Sequence, residues 1–211
     1  MARDLAVAPR AAPRSPSPDR VLESDPDSEN SEDEREEEGG VEGARLYREF
    51  LTARLSSAVP LYSRVHPPAR PAPFSSELAG LAERFGRTAG REEVRQRAEQ
   101  ADLASLDQEG FTAMLSELFQ DGGVTQERIL VLFFFCSDLA VRAARAGLRA
   151  VLARLTRWSC SFVRTVVAGW VACRGGWERL LQPVVTPGLA QLGLGAAVLG
   201  LAAVAVKKHL S

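Results

Sequence analysis

The chain has 211 residues, 45% of them hydrophobic and 25% charged, with a formal net charge of -1, which is the composition of one globular domain with extensions. Its three cysteines (Cys136, Cys160, Cys173) form no Cys-x-x-Cys pair and only two histidines accompany them, which argues against a zinc site or a disulfide framework and points to a reducing compartment. With no Gly-rich phosphate loop and no His/Cys/Asp cluster, the chain is not expected to be an enzyme, and no catalytic residue, metal ligand or cofactor is expected.

Residues 1–43 are rich in Pro, Ser and Arg and then in acid, with eleven acidic side chains and one Arg between Glu23 and Glu42. So few large apolar groups do not offset the entropy of ordering, and a disordered acidic extension is expected. Ser28 and Ser31 precede acids and are candidates for phosphorylation, although a solubilising tail explains the same composition. From Ala44 the pattern becomes helical: Tyr47, Phe50, Leu51 and Leu55 share one flank of a helix that ends before Pro60. Residues 60–73 contain five prolines and are expected to be a linker.

A second helix is expected from about Phe74, a solvated helix or loop over Arg91 to Glu99, and a further short element beginning at Leu103 and Leu106. Phe111, Met114, Leu115, Leu118 and Phe119 make the i, i+3, i+4, i+7, i+8 stripe of an amphipathic helix stopped by Gly122 and Gly123. Ile129 to Phe135 is apolar on every side, which fits the central helix of a bundle, with Gly147 as its stop. A helix follows through Leu152, Leu155, Trp158, Phe162 and Val166 toward Trp170, then a short one after Gly175 and Gly176. No alternating strand pattern is visible, so the domain, residues 44–183, is expected to be all-helical.

Residues 184–211 form the last segment. Leu189 to Val206 is 18 residues without a charge, passing through Leu194 and Leu199 and flanked by Lys207 and Lys208, long enough to span the ~30 Å hydrocarbon layer. A C-terminal transmembrane helix serving as a cytosol-facing tail anchor is expected. A buried core helix, or a tail folded into an apolar groove of its own domain, is the alternative, since six Ala and three Gly keep the segment small.

Phe74, Leu78, Leu81 and Phe85 lie at i, i+4, i+7 and i+11, one narrow stripe of a helix that can lie in a hydrophobic groove. Any core-facing helix produces the same stripe. Ala82 and Glu83 sharpen the pattern, because a small residue lets the backbone approach a wall and an acid beside it can pair with an Arg. Leu78, Ala82, Glu83 and Phe85 resemble the death motif of the Bcl family of apoptosis regulators.

Glu117 to Phe135 resembles that family's first homology region, although Thr125-Gln126-Glu127-Arg128 stands where Asn-Trp-Gly-Arg is usual. Gly169 to Leu181, with Trp170, Gly175, Gly176 and Trp177, resembles the second, and Leu46 to Leu55 the N-terminal homology helix. The resemblance implies a Bcl-like helical bundle with a central apolar helix, amphipathic helices around it and a peptide-binding groove. Phe119, Gly122, Arg128 and Phe133 belong to the groove and first region, with Arg128 meeting the acid of a bound death-motif helix. Implied partners are Bcl family members and their death-motif helices, as homo- or heterodimers, and membrane lipid.

The implied location is the mitochondrial outer membrane, with cytosolic or endoplasmic reticulum pools. Effectors of the Bax, Bak and Bok kind dimerise through their own death motif and permeabilise that membrane, whereas survival members sequester death-motif helices. Leu139 to Gly176 carries seven Arg and no acid, a cationic hairpin suited to anionic lipid, and this leans toward the effectors. A solvated basic face, a survival protein, or a non-apoptotic tail-anchored adaptor are the other readings. Nucleic acid is not an expected partner, because the basic residues lack interleaved exposed aromatics.

Overall fold

A helix with no polar side exists in water only when other helices wrap it, and the architecture is organised around such a helix. The computed structural model describes residues 26–59, 62, 71–120 and 124–182. Gly122 and the expected anchor, residues 184–211, lie outside the described residues, as does most of the expected linker. In chain order the helices are α1 (Pro26–Ala58), α2 (Ser75–Gly86), α3 (Ala89–Gln100), α4 (Gln108–Gln120), α5 (Gln126–Arg145), α6 (Arg149–Phe162), α7 (Ala168–Ala172) and α8 (Gly176–Leu181). A π segment, Val163–Val167, joins α6 to α7. Among the described residues there is no strand, and no helix is long and apolar enough to cross a membrane.

α5 is the central rod. Every residue from Arg128 to Val141 is buried, and α1, α2, α3, α4 and α6 all touch it. Its ends are set locally. Thr125 lies in extended backbone and its hydroxyl accepts the Arg128 N–H at 3.2 Å, an N-cap. At the other end Gly147 adopts φ +70°, its N–H donates to the Ala144 carbonyl at 3.1 Å, and the Leu148 N–H reaches the Ala143 carbonyl at 2.9 Å. This is a Schellman stop, and it releases the chain into α6.

The stripe of α4 is buried at Phe111, Met114, Leu115, Leu118 and Phe119. α3 is shorter of apolar groups, yet it is a regular helix docked on α5 through Val94 and Ala98. Arg142 of α5 caps it: the guanidinium donates to the carbonyls of Ala98 and, at 2.9 Å, Ala101, groups that a helix end leaves without partners. Arg142→Ala is expected to cost about 1.5–3 kcal/mol and to speed amide hydrogen exchange in α3 more than in α4. Equal acceleration in both helices rules the capping role out.

Two expectations differ from what is observed. Leu103 and Leu106 lie in a turn, because the Asp102 carboxylate accepts the Ala104 N–H at 3.0 Å and Asp107 accepts the Gly110 N–H at 2.8 Å. Such local bonds compete with helix and then start α4. The other difference is α1, which begins at Pro26, well inside the stretch expected to be disordered. Its glycines explain how: a Cβ on Gly40 would lie 2.7 Å from the Arg164 carbonyl oxygen, and one on Gly43 only 2.3 Å from the Trp177 ring. The acidic helix is held by backbone close approach rather than by large apolar side chains.

Candidate functional site

α2 carries the expected death motif, and α1 fixes where that helix starts. The Glu49 carboxylate accepts the Ala72 N–H at 2.5 Å and the Ser75 hydroxyl at 2.9 Å, placing an anion at the N-terminus of α2, where the peptide dipoles favour one. Phe74, just before the helix, is held at φ 58°, a left-handed conformation that a bulky residue adopts only when its surroundings impose it. From there Leu78, Leu81 and Phe85 face inward and are buried, Ala82 is half-buried, and Phe74 packs against the same core. Glu83 faces solvent and pairs with Arg87 at 2.5 Å. The motif's apolar stripe is therefore sealed in its own bundle while its acid stays outside.

Of the residues assigned to the groove and first homology region, Phe119 and Phe133 are fully packed. The Phe119 ring lies 6.2 Å from that of Phe162 and 5.3 Å from that of Trp170, while Phe133 meets Tyr47 at 5.1 Å and Phe50 at 5.7 Å. Arg128 is buried in the first turn of α5. In the second region Gly175 and Gly176 take φ +90° and +83°, conformations that glycine permits, and the chain breaks there before α8. Trp170 is exposed at the edge and Trp177 is buried, its indole N–H donating to the Gly39 carbonyl at 2.8 Å. Gln126 holds the other end of α8 by donating to the carbonyls of Leu180 at 2.9 Å and Gln182 at 3.0 Å. The two homology regions thus meet through α5 and α8, with α1 as the third party.

A junction that sequence reasoning missed ties these parts together. Asp138 of α5 pairs with Arg54 of α1 at 2.5 Å and with Arg91 of α3 at 2.7 Å. One turn earlier, the Phe134 ring lies 5.1 Å from the Arg54 guanidinium and 4.6 Å from that of Arg91. The same ring meets Phe50 at 5.1 Å and Phe85, the last anchor of α2, at 5.2 Å. α1, α2 and α3 all converge on one aromatic ring and one carboxylate of α5. An isolated acid inside an apolar helix was the available signal, since such a charge stays buried only when paired.

The thiols are not poised for chemistry. Burial pushes the Cys136 thiol up to about 12 despite a hydrogen bond from Ser159, and burial raises Cys160 against the opposing effect of Arg48, so neither is a thiolate near neutrality. Among the described residues no cluster of His, Cys, Asp or Glu could hold a metal ion.

Comparison with known proteins places this arrangement. Residues 78–177, from the first inward anchor of the death motif to the buried Trp of α8, match the family model described as apoptosis regulator proteins of the Bcl-2 family. The apoptosis regulator BAX of Bos taurus is 30% identical over 89 residues, 40% of this chain and 46% of that protein, so the chain spans about half the length of such relatives. Bcl-2-like protein 1 of Gallus gallus is 30% identical over 52% of this chain and 51% of its own length. The match to the Bcl-2-related ovarian killer protein of Homo sapiens is broader, 30% identity over 165 residues, 72% of this chain and 76% of that protein. A likeness sustained over so much of both sequences, on an all-helical fold wrapped around an apolar rod, means that the chain belongs to the Bcl-2 family of apoptosis regulators.

Proposed function

We propose that this chain is a pro-apoptotic effector, which dimerises through its death motif and permeabilises the mitochondrial outer membrane, to which residues 184–211 anchor it with the domain facing the cytosol. The observation that carries the reading is the outer face of the α5–α6 hairpin and α7. Arg145, Arg149, Arg154, Arg157, Arg164 and Arg174 are all exposed there, with no acid between Leu139 and Gly176. Turned outward, an apolar α5 beside a cationic α6 suits the interface of an anionic bilayer. The sealed stripe of Leu78, Leu81 and Phe85 fits a resting state, since those anchors must leave the bundle before they can enter a partner's groove.

The names of the BAX and ovarian killer relatives lean the same way. Survival function, the sequestering of other proteins' death-motif helices, predicts the opposite result in one experiment. Expressed in cells without permeabilising effectors of their own, the wild-type chain is expected to release cytochrome c. Glu83→Arg removes an exposed ion pair worth only about 0.3–0.5 kcal/mol to the fold, yet is expected to lower release at least tenfold by reversing the charge offered to a partner. Protection by the wild-type chain against a death-motif peptide makes it a survival protein instead, and full release by the Glu83→Arg form removes the motif from the mechanism.

A further inference from the structure

On the side of the bundle away from α2, a trench runs between α1 and α6. Its volume is about 760 Å3, within the range of sites that take small molecules. Lining residues extend along α6 from Arg149 to Arg164, roughly 22 Å at 1.5 Å per residue. The floor is apolar, with Ala44, Leu152 and Ala153, and Arg48, Arg149 and Arg157 stand at its sides. No acid lines it. Among the described residues no carboxylate forms an ion pair with any of those three arginines. Arg164, at the far end, is answered by Glu37 at 3.6 Å, and the acidic half of α1 begins there. The unanswered positive charge therefore sits in the half of the trench nearer Arg149.

A solvated basic helix face needs no apolar furrow beneath it. An apolar furrow with three unpaired guanidinium groups calls for a ligand that is long, apolar and charged at one end, because the chain must be desolvated while the anion pairs with arginine. The volume spread over that length gives a mean cross-section of roughly 35 Å2, less than half that of an α-helix about 10 Å across. The trench is narrow for a helix and ample for one polymethylene chain.

We infer that the α1–α6 trench binds a single-chain anionic lipid, a long-chain fatty acid, with its carboxylate among Arg48, Arg149 and Arg157 and its chain on the apolar floor. The inference holds whether the protein promotes or restrains apoptosis. Bound there, the lipid touches α1 and α6 together and holds them against each other.

The test uses the full-length protein in membranes and a photoreactive palmitate analogue, with crosslinked peptides mapped by mass spectrometry. Labelling is expected on α6 between Arg149 and Arg164 and on the facing part of α1. Palmitate is expected to compete and palmityl alcohol, which lacks the charge, to fail. Ala153→Trp fills the trench from an exposed position and is expected to reduce labelling at least tenfold. Arg149→Ala with Arg157→Ala leaves the floor intact and is expected to reduce it about three- to tenfold, the scale of exposed charge pairs. This second variant carries the test if the first disturbs the helix content.

Labelling scattered over the bundle, equal competition by the alcohol, or indifference to both variants overturns the inference. Protection by phosphatidylglycerol vesicles but not by palmitate assigns the arginines to a bilayer surface, and protection by an acidic amphipathic peptide but not by palmitate assigns the trench to a helix. Either outcome overturns it as well.

Discussion

Asp138→Ala is expected to destabilise the folded protein by about 3 kcal/mol, lowering its melting temperature by roughly 6–12 °C for a chain of this size. The side chain of Asp138 is 9% exposed, and its partners Arg91 and Arg54 are 13% and 34% exposed. Removing the acid leaves two guanidinium groups packed over the Phe134 ring with no anion between them. Charges stranded in this way cost more than the pair itself contributes, because their desolvation remains while the attraction is gone. The partial exposure of Arg54 keeps the figure at the low end for buried pairs.

A mixed replacement separates the two causes. Arg54→Met, Arg91→Met and Asp138→Leu together are expected to recover most of the loss in thermal unfolding, since an apolar set of similar size replaces the whole triad. If the single change shifts the melting temperature by less than about 2 °C, the junction is not what holds α1 and α3 to α5.

Gly43→Leu is expected to cost at least 3 kcal/mol, at the upper end for forcing extra atoms into a packed site. Helix propensity points the other way, since Gly inside a helix is about 1 kcal/mol worse than Ala. Sterics decide the sign. The new Cβ would fall 2.3 Å from Trp177 Cζ2 and 3.0 Å from Val163 Cγ1, and the ring cannot withdraw without breaking its 2.8 Å bond to the Gly39 carbonyl. Gly39 is the internal control, because nothing lies within 4 Å of a Cβ placed there. Gly39→Ala is accordingly expected to stabilise by about 0.5–1 kcal/mol. Chemical denaturation of the two variants checks both signs at once, and two changes of the same sign remove the close contact of α1 with Trp177 as the cause.

The parts of the fold legible beforehand are those whose physics is local. The stripe from Phe111 to Phe119, the apolar run from Ile129 to Phe135 and the stop at Gly147 follow from periodicity and backbone freedom. What stayed hidden depends on partners far away in the chain. Gly39, Gly40 and Gly43 lie in an acidic run and look like helix breakers until Arg164 and Trp177 are seen against them. Arg142 looks like surface charge until the end of α3 arrives beneath it. Asp138 and Glu49 look unremarkable until two arginines and the start of α2 converge on them. For the candidate site, the inward face of α2 could be read from spacing, but the trench between α1 and α6 could not, because its sides come from helices about a hundred residues apart.

The π segment explains one further discrepancy. Counting in ordinary helical steps through Phe162 and Val166 leads to Trp170 as an inward residue, yet Val166 is half-buried and Trp170 is exposed. The inward positions are Leu155, Ser159, Val163, Val167 and Val171, a strict period of four. An α-helix overshoots by about 40° every four residues, so such a seam would wind off the core within three steps. The wider i→i+5 turn resets the phase. A single amino acid's worth of extra backbone thus sets the azimuth of everything downstream, and excising one residue between Val163 and Val167 would swing Trp170 into the seam and carry Trp177 out of register with the glycines of α1.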